Sequence, residues 1–171
     1  MKPPILTTDR LLLREYTLLD TAFILELLNS PGWLTFIGDK GVRTVKDAEE
    51  YLLTGPMESY RKNGFGLAMV ILKETGEGIG MCGLIKRESL SDVDIGYALL
   101  PAFTSKGYAF EIAAATLDYG KNELGLSRIV GITDPKNEHS IRLLQKLGMQ
   151  FEKNVKFGSE GLESKFFAIS W

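Results

Sequence analysis

The densest chemistry in this chain lies in one stretch, Asp94-Ile-Gly-Tyr-Ala-Leu-Leu-Pro-Ala-Phe-Thr-Ser-Lys-Gly-Tyr-Ala-Phe-Glu111, which continues into three alanines ending at Ala115. An apolar run reaches Leu100, Pro101 interrupts it, and a polar loop carries Ser105, Lys106 and Gly107. A helical pattern follows at once. Strand, glycine loop and helix N-terminus together form a geometry suited to phosphate. The first N–H groups of a helix lack internal partners, and the helix dipole adds partial positive charge beside them. Gly107 permits close backbone approach and Lys106 supplies a cation. Ser105, Lys106, Gly107, Tyr108, Ala109 and Phe110 are thus candidates to hold a phosphorylated small molecule; the plainer reading is a strand-to-helix turn with Lys106 in solvent.

Other chemistries are narrowed by composition. The single Cys82 excludes an internal disulfide and a cysteine-based zinc site, and the single His139 excludes a histidine-rich metal site, so a metal-free protein is expected. The formal net charge of −2 argues against nucleic acid or an anionic membrane as partner. No signal-peptide segment and no membrane span is read, which leads to the expectation of a cytoplasmic protein. At 171 residues the chain is read as one domain, 1–171, with a real core.

The elements that must position the loop follow from periodicity and punctuation. Leu11 to Tyr16 reads as a strand, and Asp20 as the cap of a helix through about Asn29. Thr44-Val-Lys-Asp47 is a capping box before a second helix, which Pro56 interrupts. Three strands in series follow: Gly66 to Leu72, Ile79 to Ile85, and Val93 to Leu100. A helix runs from Gly107 to about Glu123, a strand from Arg128 to Thr133, and a helix from Asn137 to Leu147, stopped by Gly148. Phe151 to Phe157 and Glu163 to Ile169 form a closing hairpin around Gly158-Ser-Glu-Gly161. This order predicts an α/β (α+β) fold with a mixed sheet and helices on both faces.

With that layout the chain resembles the GNAT superfamily of acetyl-CoA-dependent N-acetyltransferases, in the branch named for enzymes that acetylate ribosomal-protein N-termini. Three segments carry the resemblance: Leu6-Thr-Thr-Asp-Arg-Leu-Leu-Leu-Arg14 with Asp20 after it, Asp94 through Glu111, and Leu126-Ser-Arg-Ile129 through Asn137-Glu-His-Ser140 to Lys146-Leu-Gly-Met149. The resemblance implies a mostly antiparallel sheet with one splayed strand pair that holds coenzyme A. It implies that the pyrophosphate sits on the amides of Ser105 to Phe110, and that the pantetheine arm pairs with Tyr97, Ala98 and Leu99 like an added strand. Asn137 matches the family asparagine beside the pantetheine. The backbone N–H of Leu99 takes the place of the donor that polarises the thioester carbonyl. Asp94 matches an acidic residue that faces the acceptor amine, and Ser140 the branch's serine near the thiol.

Four positions depart from the family pattern: Thr104 for Arg or Gln, Ser105 for a frequent glycine, Ala98 for Trp, and Leu144 for the tyrosine general acid of many members. Asn137 and Ser140 also suit a helix cap and first turn, Asp94 a strand surface, and His139 a solvated turn. Cys82 reads as a small buried hydrophobe. Trp33, Phe36, Tyr60 and Phe65 read as core or as walls of an acceptor pocket. The implied reaction is direct attack of a neutral primary amine on the acetyl thioester, with a protein N-terminal α-amine as acceptor. The rivals are acetylation of a polyamine or antibiotic, with Glu26, Glu49 and Glu50 lining an acidic groove, and a non-catalytic coenzyme A-binding sensor. A monomer or homodimer fits either.

Overall fold

The computed structural model describes residues 2–171. One eight-stranded sheet organises them, in the order β1-β2-β3-β4-β5-β6-β8-β7. Its strands are β1 (Leu6–Thr7), β2 (Leu11–Arg14), β3 (Leu67–Leu72), β4 (Glu77–Ile85), β5 (Val93–Leu99), β6 (Arg128–Thr133), β7 (Gln150–Phe157) and β8 (Leu162–Ser170). Every neighbouring pair is antiparallel except β5 with β6. A parallel pair needs a crossover, and α5 (Tyr108–Asn122) supplies it. The remaining helices are α1 (Thr21–Leu28), α2 (Pro31–Phe36), α3 (Val45–Thr54), α4 (Pro56–Asn63) and α6 (Glu138–Lys146). Among the described residues no helix is long and apolar enough to cross a membrane.

Strand alternation divides the core between the two faces of the sheet. Met69 and Met81 pack with Tyr16, Ile24, Leu27, Trp33, Ala48 and Leu52, so this face carries α1 to α3. Leu84, Val93 and Ile95 pack with Ala113, Leu117, Ile129 and Leu144 under α5 and α6. Each such large apolar side chain contributes about 1.5–3 kcal/mol by leaving water. Gly120 brings α5 close to the sheet: a Cβ there would stand 2.7 Å from Ile129 Cδ1 and 3.0 Å from Leu84 Cδ1.

Local chemistry sets most boundaries. Thr44 and Asp47 form the predicted capping box of α3, and the left-handed Gly148 follows α6. Three expectations need correction. The first strand stops at Arg14, and a short β1 precedes it. Asp20 does not cap α1; Thr17 caps the preceding turn, and the Asp20 carboxylate accepts from the Thr17 N–H and from Arg14 instead. An unpredicted helix, α2, begins at Pro31, whose fixed φ and missing N–H suit a first helical position.

Candidate active site

The loop before α5 has the cradle geometry its sequence suggests. Ser105 and Gly107 both adopt positive φ, +61° and +83°. The first α-helical bond of α5 runs from the Glu111 N–H to the Gly107 carbonyl at 3.1 Å. The N–H groups of Tyr108, Ala109 and Phe110 therefore lack helical partners, and Ser105, Lys106 and Gly107 are exposed. The positive φ of Ser105 is the physical reason glycine suits that position.

A brace that sequence reasoning missed holds this loop. Glu111 accepts from Thr8 Oγ1 at 2.6 Å, from the Arg10 backbone N–H at 2.9 Å and from Arg10 Nε at 2.7 Å. Arg10 Nη1 donates to the Lys106 carbonyl at 3.1 Å, and the guanidinium lies 4.4 Å from the centre of the Tyr108 ring. These partners lower the Glu111 pKa although partial burial opposes them. Thr8, Arg10 and Glu111 all fall within recognisable motifs, but sequence spacing alone carries no sign that the motifs touch.

The expected splay is present between β5 and β6. Their pairing covers only Val93 with Ile129 and Asp94 with Val130, while β5 stays paired with β4 as far as Leu99. The Leu100 N–H donates to Ile79 on the β4 side. Backbone groups alternate edges along a strand, so the N–H groups of Tyr97 and Leu99 point the other way, into the gap. Ala98 has the opposite polarity: its backbone faces β4, and its side chain joins the α1–α3 face.

Across the gap, Asn137 caps α6 with its Oδ1 accepting from the Ser140 N–H at 3.2 Å. The Tyr97 side chain reaches the same turn, with its hydroxyl 2.9 Å from Ser140 Oγ. Burial pushes the Tyr97 phenol up to about 12, against a lowering by Ser140. Sequence reasoning placed Tyr97 here for its backbone and missed this hydroxyl pair. Leu144 is 1% exposed in the core under α6, and His139 is exposed.

Asp94 is not a surface group, as the plain alternative had it: it is 3% exposed, at the throat of the splay. Its side chain is on the opposite face of β5 from Tyr97, because side chains alternate. Oδ2 accepts from Arg87 Nε at 2.8 Å, while Oδ1 has no hydrogen-bond partner among the described residues. Burial raises its pKa to about 6, and the Arg87 charge only partly restrains the rise. Leu99 lies five positions along β5 from Asp94, about 16 Å of strand at the usual rise. A carboxylate at one end cannot touch a carbon held at the other, so a proton passing between them needs water.

The aromatic candidates divide. Trp33 is in the core with Tyr16 and Leu27, and the Tyr60 hydroxyl bonds to the Leu67 carbonyl, so both are structural. Phe65 packs against the α5–α6 face, and Phe36 is exposed. Glu26, Glu49 and Glu50 are exposed on α1 and α3, and among the described residues none pairs with a cation. Cys82 is fully buried, and burial pushes its thiol up to about 12.

Known proteins are similar to this chain in sequence and fold. Residues 10–150 match the family described as Acetyltransferase (GNAT) domain. The uncharacterised N-acetyltransferase YnaD of Bacillus subtilis is 31% identical over 168 residues, spanning 96% of this chain and 95% of that protein. A ribosomal L7/L12 α-N-protein acetyltransferase, RimL, solved with coenzyme A, superposes with a TM-score of 0.83 at 14% identity, covering 98% of each chain. The spermidine N-acetyltransferase of Vibrio cholerae, solved with coenzyme A and spermine, has a TM-score of 0.78 at 20% identity, covering 95% of this chain and 96% of that one. The two structural likenesses extend to the fold.

Proposed function

This chain belongs to the GNAT acetyltransferase family, and from that premise we propose that it transfers the acetyl group of acetyl-CoA to a primary α-amine, such as a peptide N-terminus, by direct attack with both substrates bound. The observation that carries the reading is the continuity of two backbone features. The free edge of β5 leads toward the unpartnered N–H groups at the start of α5. An extended arm bearing two amides can pair with the first while its pyrophosphate rests on the second. Lys106 stands beside that anion.

The chemistry requires a neutral amine and a place for negative charge on the carbonyl oxygen. An α-amine, with a pKa of about 7.7–8.0, is partly neutral near pH 7, whereas a lysine amine near 10.4 is not. Asp94, ionised above about pH 6, accepts the amine proton through water or holds the ammonium by charge. The N–H of Leu99 is assigned to the carbonyl oxygen, and that of Tyr97, on the same edge, to the arm. One fixed donor aimed at developing charge is worth about 3 kcal/mol. Ser140, oriented by Tyr97 and Asn137, protonates the leaving thiolate. Leu144 is apolar and buried, so the hydroxyl on α6 closest to this role is that of Ser140.

The test is release of free thiol from acetyl-CoA against a panel of N-terminal peptides, amino acids, polyamines and aminoglycosides, with calorimetry of coenzyme A alongside. Binding abolished by Gly107→Glu, together with amine-dependent thiol release, supports the reading. Binding without release for any amine identifies a coenzyme A sensor.

A further inference from the structure

We propose that Asp134 is the carboxylate that meets the acceptor: it holds the incoming ammonium at the reacting end of the splay and then accepts an N–H from the neutral amine, so that the nitrogen lone pair faces the acetyl carbon. The proposal rests on the acetyl-transfer reading above and supplies the acceptor's binding group. The lone pair forms the N–C bond as the C–S bond breaks. Of the two protons the ammonium gives up, one leaves through water and one ends on the thiol. An amine attacking a carbonyl held at Leu99 is beyond the reach of Asp94, about 16 Å back along β5. Asp94 keeps the relay through water, and holding by charge falls to a carboxylate nearer the carbonyl.

The register of the two splayed strands points to Asp134. Val93 pairs with Ile129 and Asp94 with Val130. Four positions beyond the last pair stand Ala98 on β5 and Asp134 on the chain leaving β6. Each is about 13 Å from that pair at the usual rise, so both belong to the wide end of the gap, beside Leu99. Asp134 precedes Pro135, and a residue before proline is kept extended. Alternation therefore carries past Thr133 and sets Asp134 on the face of Val130 and Ile132, which is also the face of Asp94 and Ala98. Tyr97 and Ser140 meet on the other face. With the thiol served by Ser140 there, the amine approaches from the side of Ala98 and Asp134.

Hydrogen bonds hold the β6–α6 turn at one tyrosine's reach from β5. The Tyr97 hydroxyl is 2.9 Å from Ser140 Oγ, the Ser140 N–H donates to Asn137 Oδ1 at 3.2 Å, and the Asn137 N–H donates to the Asp134 carbonyl at 3.0 Å. The half-buried carboxylate is itself pinned, its Oδ1 accepting from the Lys136 N–H at 2.7 Å. Among the described residues, no donor meets Oδ2 and no cation pairs with Asp134. One oxygen fixed by the backbone and one unclaimed suit an ammonium, which forms the stronger, charge-assisted kind of hydrogen bond.

The experiment uses Asp134→Asn and Asp134→Ser in the full chain. Each keeps a side-chain oxygen for the Lys136 N–H, so the turn stays and only the charge goes. Thiol release is measured with Ala-Ala-Ala amide, spermidine and kanamycin, with calorimetry of coenzyme A and melting curves alongside. For the amine with the highest wild-type kcat/KM, both variants should raise the acceptor KM tenfold or more, and coenzyme A affinity should stay within twofold of the wild type. An acceptor KM within twofold of the wild type in both variants overturns the proposal while leaving acetyl transfer intact. So does a rise matched by an equal loss of coenzyme A affinity, or one that differs tenfold between the two variants, since either assigns the effect to the turn and not to the charge. Coenzyme A binding with no thiol release from any amine overturns acetyl transfer itself, and the role of Asp134 with it.

Discussion

Ser105 holds a left-handed backbone that disfavours any side chain, a cost of about 1–2 kcal/mol for a residue other than glycine. Ser105→Gly is therefore expected to stabilise the protein by up to about 1 kcal/mol in chemical denaturation, after the greater flexibility of glycine is subtracted. At Asp94 the outcome depends on pH. Its pKa is raised to about 6, so the proton-accepting form is lost below that value and kcat/KM should fall through an apparent pKa near it. Asp94→Asn should remove that limb and cost roughly 100-fold near neutrality, the lower end for a general base, with recovery as pH approaches the amine pKa. A profile unchanged across pH 6 to 9 sinks the role. Tyr97 and Ser140 are tested together. Tyr97→Phe and Ser140→Ala should each lower kcat about tenfold or more, and the double variant should lose little beyond the worse single, a coupling of about 0.5–3 kcal/mol. Additive losses would separate the two hydroxyls.

At the scale of elements, the brace between β2 and α5 makes a different kind of prediction. Glu111→Gln keeps the shape but removes the charge that binds Arg10 and Thr8. It should weaken coenzyme A binding several-fold in calorimetry, since Arg10 also holds the Lys106 carbonyl. It should also lower stability by about 1.5–3 kcal/mol, typical for hydrogen bonds to a charged group. Elements written in local chemistry were legible: the capping box at Thr44, the stop at Gly148, and the loop between Leu100 and Tyr108. So was the splay, through the resemblance of its strands to a known family. What escaped was long-range. Glu111 and Thr8 are 103 residues apart, and no periodicity reports their meeting. Asp20 has the residue type of a helix cap, yet Arg14 and Thr17 claim its carboxylate. The burial of Asp94 was hidden because an acidic residue in a strand is ordinarily exposed, and the enclosure comes from Arg87, β6 and the helices over that face.

For the molecule as a whole, ionisation acts in opposite directions on the two sides of about pH 4. The pKa values of Asp20 and Glu111 are lowered by their partners, so the stability they confer is present above the unfolded value of about 4 and lost as pH falls through the folded ones. The Asp94 value is raised instead, to about 6, so its contribution is full below the unfolded value and lost as pH rises through the folded one. Melting temperature should therefore decline on both sides of about pH 4, and Asp94→Asn should flatten the decline between about pH 4 and 6, as calorimetric scans would show. The short parallel pairing of β5 with β6 has a mechanical counterpart. The gap is a notch cut into an otherwise continuous sheet, and Asp94–Val130, the last pair before it, is the tip where opening strain concentrates. A notch spreads from its tip, so the amides around Ile95 and Val130 should exchange with deuterium sooner in the free protein than equally buried amides between β3 and β4. A molecule that bridges the notch should blunt it, slowing exchange at the tip although it lies several residues from the phosphate loop.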